Sequence, residues 1–101
     1  MEGTVITMPA VALRGLTVFP AMMIHFDINR KRSVAAVEKA MVSDQKVFLV
    51  TQRQPEVVEP GLPDLYQVGT IALVKQMVKL PGGNIRVMVE GLKRAELLDL
   101  D

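Results

Sequence analysis

Between Val68 and Leu97, apolar and polar residues trade places with a rhythm of two. Val74, Val78 and Leu80 fall on even positions, with Lys75 and Lys79 on the opposite parity; further on, Ile85, Val87 and Val89 alternate with Asn84, Arg86 and Glu90. Alternation of this kind, rich in β-branched residues, predicts half-buried strands. The two runs meet at Pro81-Gly82-Gly83. Proline presets φ for a turn and glycine accepts positive φ without steric cost, so the pattern predicts one long hairpin. Gly91 interrupts the second strand, which predicts a bulge or bend there.

The chain before the hairpin is read in the same way. Thr4–Met8 and Val11–Leu13 are short β-prone runs split by Pro9. Gly15, Leu16, Val18, Phe19 and Pro20 follow; proline cannot donate to a ladder, so this piece is expected at a sheet edge or crossing between strands. From Met22 to Ile28 a strand pattern resumes, with Met22, Ile24, Phe26 and Ile28 on one parity. Asn29–Asp44 holds the one helical pattern: Val34, Val37 and Met41, with Ala40 beside them, make an apolar stripe, while Glu38 and Lys39 turn to solvent. Either Asn29 or Ser33 is expected as its N-cap. Lys46–Thr51 (KVFLVT) reads as a strand buried on both faces. Gln52–Asp64, with Pro55, Pro60, Gly61 and Pro63 among Glu56, Glu59 and Asp64, reads as an acidic surface loop. Leu97, Leu98 and Leu100 need something to pack on: either they close this domain's own sheet, or the chain stops inside a longer protein.

Composition changes this picture in a few places. At 101 residues, 50% of them hydrophobic and 23% charged, the chain is sized for one globular domain. The absence of cysteine excludes a disulfide framework and thiol catalysis. No apolar run approaches the ~20 residues that span a bilayer, so a soluble cytoplasmic domain without membrane contact is expected. A net charge of +1 supplies no general field for nucleic acid.

Chemistry is sparse. Ser33 and Ser43 both lie in the helical segment without a nucleophile elbow around them, and His25 is the sole histidine. No metal-ligand spacing and no phosphate-binding loop occurs; Gly82-Gly83 belongs to a hairpin turn. No catalytic, cofactor or metal residue is therefore expected, and the domain is not an enzyme by itself. Binding features remain. Methionine is flexible and polarizable, and suits surfaces that accept varied apolar partners. Met22 and Met23 are consecutive, so a strand points them to opposite faces and both cannot easily be buried. Leu16, Val18 and Phe19 extend the same candidate patch. Arg30, Lys31, Arg32, Lys75, Lys79, Arg86, Lys93 and Arg94 suggest an anion-binding face, but with one tyrosine, three phenylalanines and no tryptophan, stacking platforms for bases are scarce. A solvated basic face is the preferred reading, and a stand-alone domain binding RNA or another anionic partner the alternative.

The run PAVALRGLTVFPAMMIHFDINRKRSVAAVEKAM resembles the start of the N-terminal domain of Lon proteases, where a PLR-x-x-x-x-FP motif precedes a strand and a G-R-x-x-S helix opening. Leu13-Arg14, Phe19-Pro20, Arg30, Ser33 and Ala40-Met41 match, and the likeness continues through KVFLVTQ, Asp64-Leu65-Tyr66, Leu80-Pro81-Gly82-Gly83 and Val89-Glu90-Gly91-Leu92-Lys93-Arg94. Ala12 stands where proline is usual and Asn29 where glycine is usual. The resemblance implies a mainly β (α+β) fold, a PUA-like small β-barrel with one main helix and a long C-terminal hairpin. It implies that residues 1–101 are the substrate-recognition and assembly domain of an ATP-dependent serine protease. ATP and Mg²⁺ would then belong to an ATPase module, and the Ser-Lys dyad to a protease module, both outside this chain. The implied partners are unfolded or damaged protein segments and further Lon subunits in a homohexamer, with nucleic acid not among them. Leu16, Phe19, Met22, Met23 and Met77 are the expected substrate contacts.

Overall fold

The computed structural model describes residues 5–100. Five strands form one sheet: β1 (Ala10–Leu13), β2 (Met23–Ile28), β3 (Lys46–Thr51), β4 (Val68–Lys79) and β5 (Ile85–Glu96), in the order β1-β3-β4-β5-β2. β1 pairs parallel with β3, and every other pairing is antiparallel. The one α-helix among the described residues, α1 (Lys31–Met41), packs over β1, β3 and β4. The α+β class and the long hairpin are as expected. The barrel is not closed: β1 and β2 are the two edges, and they stand across a gap of about 170 Å³ lined by Leu13, Phe26, Ile28 and, from the start of α1, Ser33.

The hairpin turns as its glycines dictate. Gly82 and Gly83 have φ of 86° and 90°, and the Leu80 amide donates to the Asn84 carbonyl at 2.8 Å. Its registry corrects the even-position reading. Val74 lies opposite Val89 but Gln76 lies opposite Met88, so Lys75 is an extra, bulged residue. Beyond it the faces exchange: Met77 opposes the buried Val87, while Val78 opposes Arg86 and is exposed. A second bulge follows Gly91, where Ala72 pairs with Gly91 and Ile71 with Lys93, leaving Leu92 over.

The helix start also differs from expectation. Arg30 occupies the N-cap position and no side chain caps the helix; Asn29 lies one residue too early, and Ser33 is buried within the first turn. The start is set by packing of the Ser33–Val37–Ala40 stripe on the sheet, and by Arg30, whose guanidinium donates to the Val57 carbonyl at 3.2 Å. Residues 5–8 form no strand, and Thr4 lies outside the described residues.

Two apolar clusters sandwich the sheet. One, beneath α1, holds Val11, Leu13, Val37, Val47, Leu49, Val74, Ile85, Val87 and Val89. The other, on the far face, holds Phe48, Val50, Leu65 and Ile71, with Leu97 and Leu100 packed against it. β3 contributes to both, which is why KVFLVT is apolar without alternation. Leu98 is exposed. Gln52, assigned from the sequence to the surface loop, is instead 2% exposed and bridges to Leu65.

Candidate functional site

Between β1 and β2 the chain runs as a strap across the sheet. Gly15, at φ 64°, turns it out of β1. Two threonines then tether it: Thr51 Oγ1 donates to the Leu16 carbonyl at 2.8 Å, and Thr70 Oγ1 to the Val18 carbonyl at 2.6 Å. Val18, 3% exposed, plugs the core beneath. At β5 the strap crosses directly over Gly91. The Ala21 amide donates to the Gly91 carbonyl and the Gly91 amide to the Met22 carbonyl, each at 2.8 Å. A Cβ at position 91 would lie 2.2 Å from the Phe19 carbonyl oxygen. Glycine is required here by close backbone approach, a second reason beside the bulge that its interruption of the strand pattern suggested. Ala21 completes the corner at φ 70°, an uncommon conformation for a residue with a Cβ.

This fixed path decides what the strap presents. Phe19 is 48% exposed, with the Arg94 guanidinium 5.3 Å from its ring centroid. Met23, at the start of β2, is 57% exposed, whereas Met22 is half-buried against the core, so the two methionines do face opposite ways. Leu16 is half-buried against the same core. The structure thus brings Leu16, Phe19, Met22 and Met23 into one segment and offers Phe19 and Met23 to solvent. Met77 stands apart. It lies on the inner face of β4 opposite Val87, whereas Met23 pairs with Glu90, a separation of ~10 Å along the strands. Leu92, exposed on the bulge after Gly91, was not singled out in the sequence; its bulged position is the reason it is presented.

The basic residues do not make one anion-binding face. Lys75 Nζ lies 3.5 Å from Glu90, Lys79 Nζ 3.8 Å from Glu38, and Arg86 grips Asp27 through two bonds of 2.7 and 3.2 Å. The Arg86 hydrogen bond holds the Asp27 carboxyl below the usual aspartate range. His25 is exposed on β2, and no group of three or more metal-ligating side chains occurs among the described residues.

A second surface lies elsewhere, at the start of α1. A groove of about 450 Å³ has apolar walls from Ala12, Val50, Val58, Pro60, Leu65 and Leu100. Arg30, Lys31 and Arg32 line it too, with Glu59 as the one carboxylate among its described lining residues. Partial burial, and then the charge of Arg14, lower the affinity of Arg30 for its proton. The flanking loop is held by its Val57 carbonyl, which accepts from Arg30 and from Gln52 Nε2 at 2.9 Å.

A five-stranded sheet with one helix, exposed apolar side chains on a hydrogen-bonded strap and an apolar groove define a small binding module. Residues 7–101 match the family described as the ATP-dependent protease La (LON) substrate-binding domain, and the chain belongs to that family. It is 52% identical over 96 residues to the Lon protease of Heliobacterium modesticaldum, covering 95% of this chain and 12% of that protein. Against Lon protease 1 of Bacillus subtilis it is 49% identical over 92 residues, covering 91% of this chain and 12% of that protein. The chain therefore spans about an eighth of the length of these relatives. Its fold is similar to the structure described as the N terminal domain of Mycobacterium avium complex Lon protease, with a TM-score of 0.67 at 20% identity over 88% of this chain and 44% of that one. The Lon N-terminal domain protein of Xanthomonas campestris gives 0.63 at 16% identity, over 88% and 48%. No α-helix among the described residues is long and apolar enough to cross a membrane.

Proposed function

We propose that this chain is the substrate-recognition module of a cytoplasmic ATP-dependent Lon-type protease, and that it holds unfolded or damaged protein segments through apolar side chains on the strap. The observation that carries the reading is the exposure of Phe19 and Met23 on a backbone locked by two threonine hydroxyls and the Gly91 crossing. A rigid support keeps apolar groups in water without letting them collapse inward, so little ordering entropy opposes binding. Weak contacts of this kind suffice when several copies act together, as in a hexamer of such subunits, because avidity multiplies them. Hydrolysis of ATP with Mg²⁺ and peptide-bond cleavage would reside in other parts of such a protease. An RNA-binding reading has less support, since Lys75, Lys79 and Arg86 each lie beside a carboxylate.

The test is an NMR titration of the labelled chain with a permanently unfolded protein. Signals of Phe19, Met22 and Met23 are expected to move, and a combined Phe19→Ser, Met23→Ser variant to bind several-fold more weakly while remaining folded. Perturbation confined to residues remote from the strap would refute the assignment.

A further inference from the structure

β2 is an edge strand, and one side of its backbone is unused. The Gly91 amide donates to the Met22 carbonyl, which makes residues 22 and 91 a hydrogen-bonding pair. Such pairs alternate along an antiparallel ladder, so Ile24, Phe26 and Ile28 turn their N–H and C=O groups to β5. Met23, His25 and Asp27 turn theirs away from the sheet, and none of these outward groups has a hydrogen-bond partner among the described residues. We infer that an extended segment of a client protein docks here as an added strand, with apolar side chains at every second position. That the ligand is an unfolded protein rests on the function proposed above; the edge and its hydrogen-bonding pattern do not. Exposed edges are commonly blunted by proline, lysine or a bulge. β2 (MIHFDI) contains neither residue, and its ladder to β5 runs without a register shift. Two features select the occupant. Free donors and acceptors at every second residue match an extended backbone. The inward side chains of such a strand would lie beside half-buried Ile24 and Phe26, over the gap walled by Leu13, Leu16 and Phe26, so they must be apolar and uncommitted. A second folded copy fails the latter requirement, because its own Ile24, Phe26 and Ile28 already pack on its core. An unfolded segment meets both, and at Met23 it runs on into the strap contacts.

The probe is a short synthetic peptide of alternating valine and threonine, titrated into the labelled chain with amide hydrogen exchange as the readout. Bound peptide is expected to slow exchange at His25 and Asp27, while Ile24 and Phe26 are already protected by β5. His25→Pro removes only an outward N–H: position 25 donates nothing to β5, its side chain is exposed, and Ile24 is already extended as a residue before proline must be. That variant is expected to bind the peptide about tenfold more weakly or worse, the scale of a lost hydrogen bond, whereas His25→Ala, which keeps the N–H, binds as the parent does. Should His25→Pro fail to fold by circular dichroism, two N-methylated peptides carry the test on the parent chain. Methylation of all the valines and methylation of all the threonines block opposite edges of the peptide, so one is expected to abolish binding and the other to spare it. Equal losses in His25→Pro and His25→Ala, equal effects of the two methylations, or no slowing at His25 and Asp27 overturns the inference. So does a dimer of the chain alone that His25→Pro abolishes, since a second copy would then own the edge. If the unfolded protein still binds through Phe19 and Met23 in any of these cases, the strap reading survives; if it binds nowhere, both fall.

Discussion

Replacing Gly91 by alanine should dislodge the strap. The new methyl would meet the Phe19 carbonyl oxygen at 2.2 Å, the Phe19 carbonyl carbon at 2.9 Å and the Pro20 Cα at 3.3 Å. All three are backbone atoms, so no side chain can swing aside, and the strap must move by roughly 1 Å to reach ordinary contact. Such a shift breaks or stretches the paired bonds from Ala21 to Gly91 and from Gly91 to Met22. Each is worth about 1 kcal/mol net, and the crowding itself costs about 1–3 kcal/mol. The sum, about 3–5 kcal/mol, is a large share of the roughly 5–15 kcal/mol that holds a domain of this size together. A fall in Tm of roughly 15–30 °C follows. Gly82→Ala is the control, because that glycine has nothing within 4 Å of its missing Cβ and only a φ of 86° to lose. It should cost about 1–2 kcal/mol from backbone strain alone. Urea denaturation followed by circular dichroism separates the two. If Gly91→Ala loses no more stability than Gly82→Ala, the strap is not held by that crossing and the account of Phe19 presentation fails.

Two further outcomes are expected. The Asp27 carboxyl is depressed by the Arg86 hydrogen bond, so its contribution to stability is complete above the unfolded-state value and disappears as pH falls through the lower folded value. In Arg86→Gln the stability should therefore fall less between neutral and strongly acidic pH than in the parent, measured by denaturant midpoints; parallel pH profiles would contradict this. Gln52→Met removes donors to the Gln54 and Val57 carbonyls, at 3.1 and 2.9 Å, but also removes the buried Gln52 Oε1 that has no partner. These terms oppose at ~1–3 kcal/mol each, so global stability should change little while amide exchange at Val57 quickens. A large global loss with unchanged exchange would show that the loop is anchored some other way.

Much of the scaffold was legible in the chain because local pattern and final packing agree. The hairpin, α1 and KVFLVT each carry a period or a run that matches the face they bury. Pro20 correctly announced a crossing segment, and Gly91 a bulge. Reading failed where a single residue changes the count: the bulge at Lys75 transfers the inner face from Val78 to Met77, and no composition cue marks it. The N-cap was misplaced because α1 is started by burial of Ser33 and not by a cap. The groove was invisible for a different reason. Ala12, Lys31, Val50, Leu65 and Leu100 lie far apart in sequence and meet only through the β1-β3-β4 pairing and the packing of the last leucines.

The placement of β2 at the edge beside β5 has a bearing on how the chain is made. Asp27 and its partner Arg86 are 59 positions apart, so a ribosome releases the strap and β2 long before the strand that completes them exists. For that interval Phe19, Met22 and Met23 have no crossing at Gly91 to hold them and no β5 to cover them. A newborn copy thus passes through a stage in which it resembles the clients that its finished form is proposed to hold.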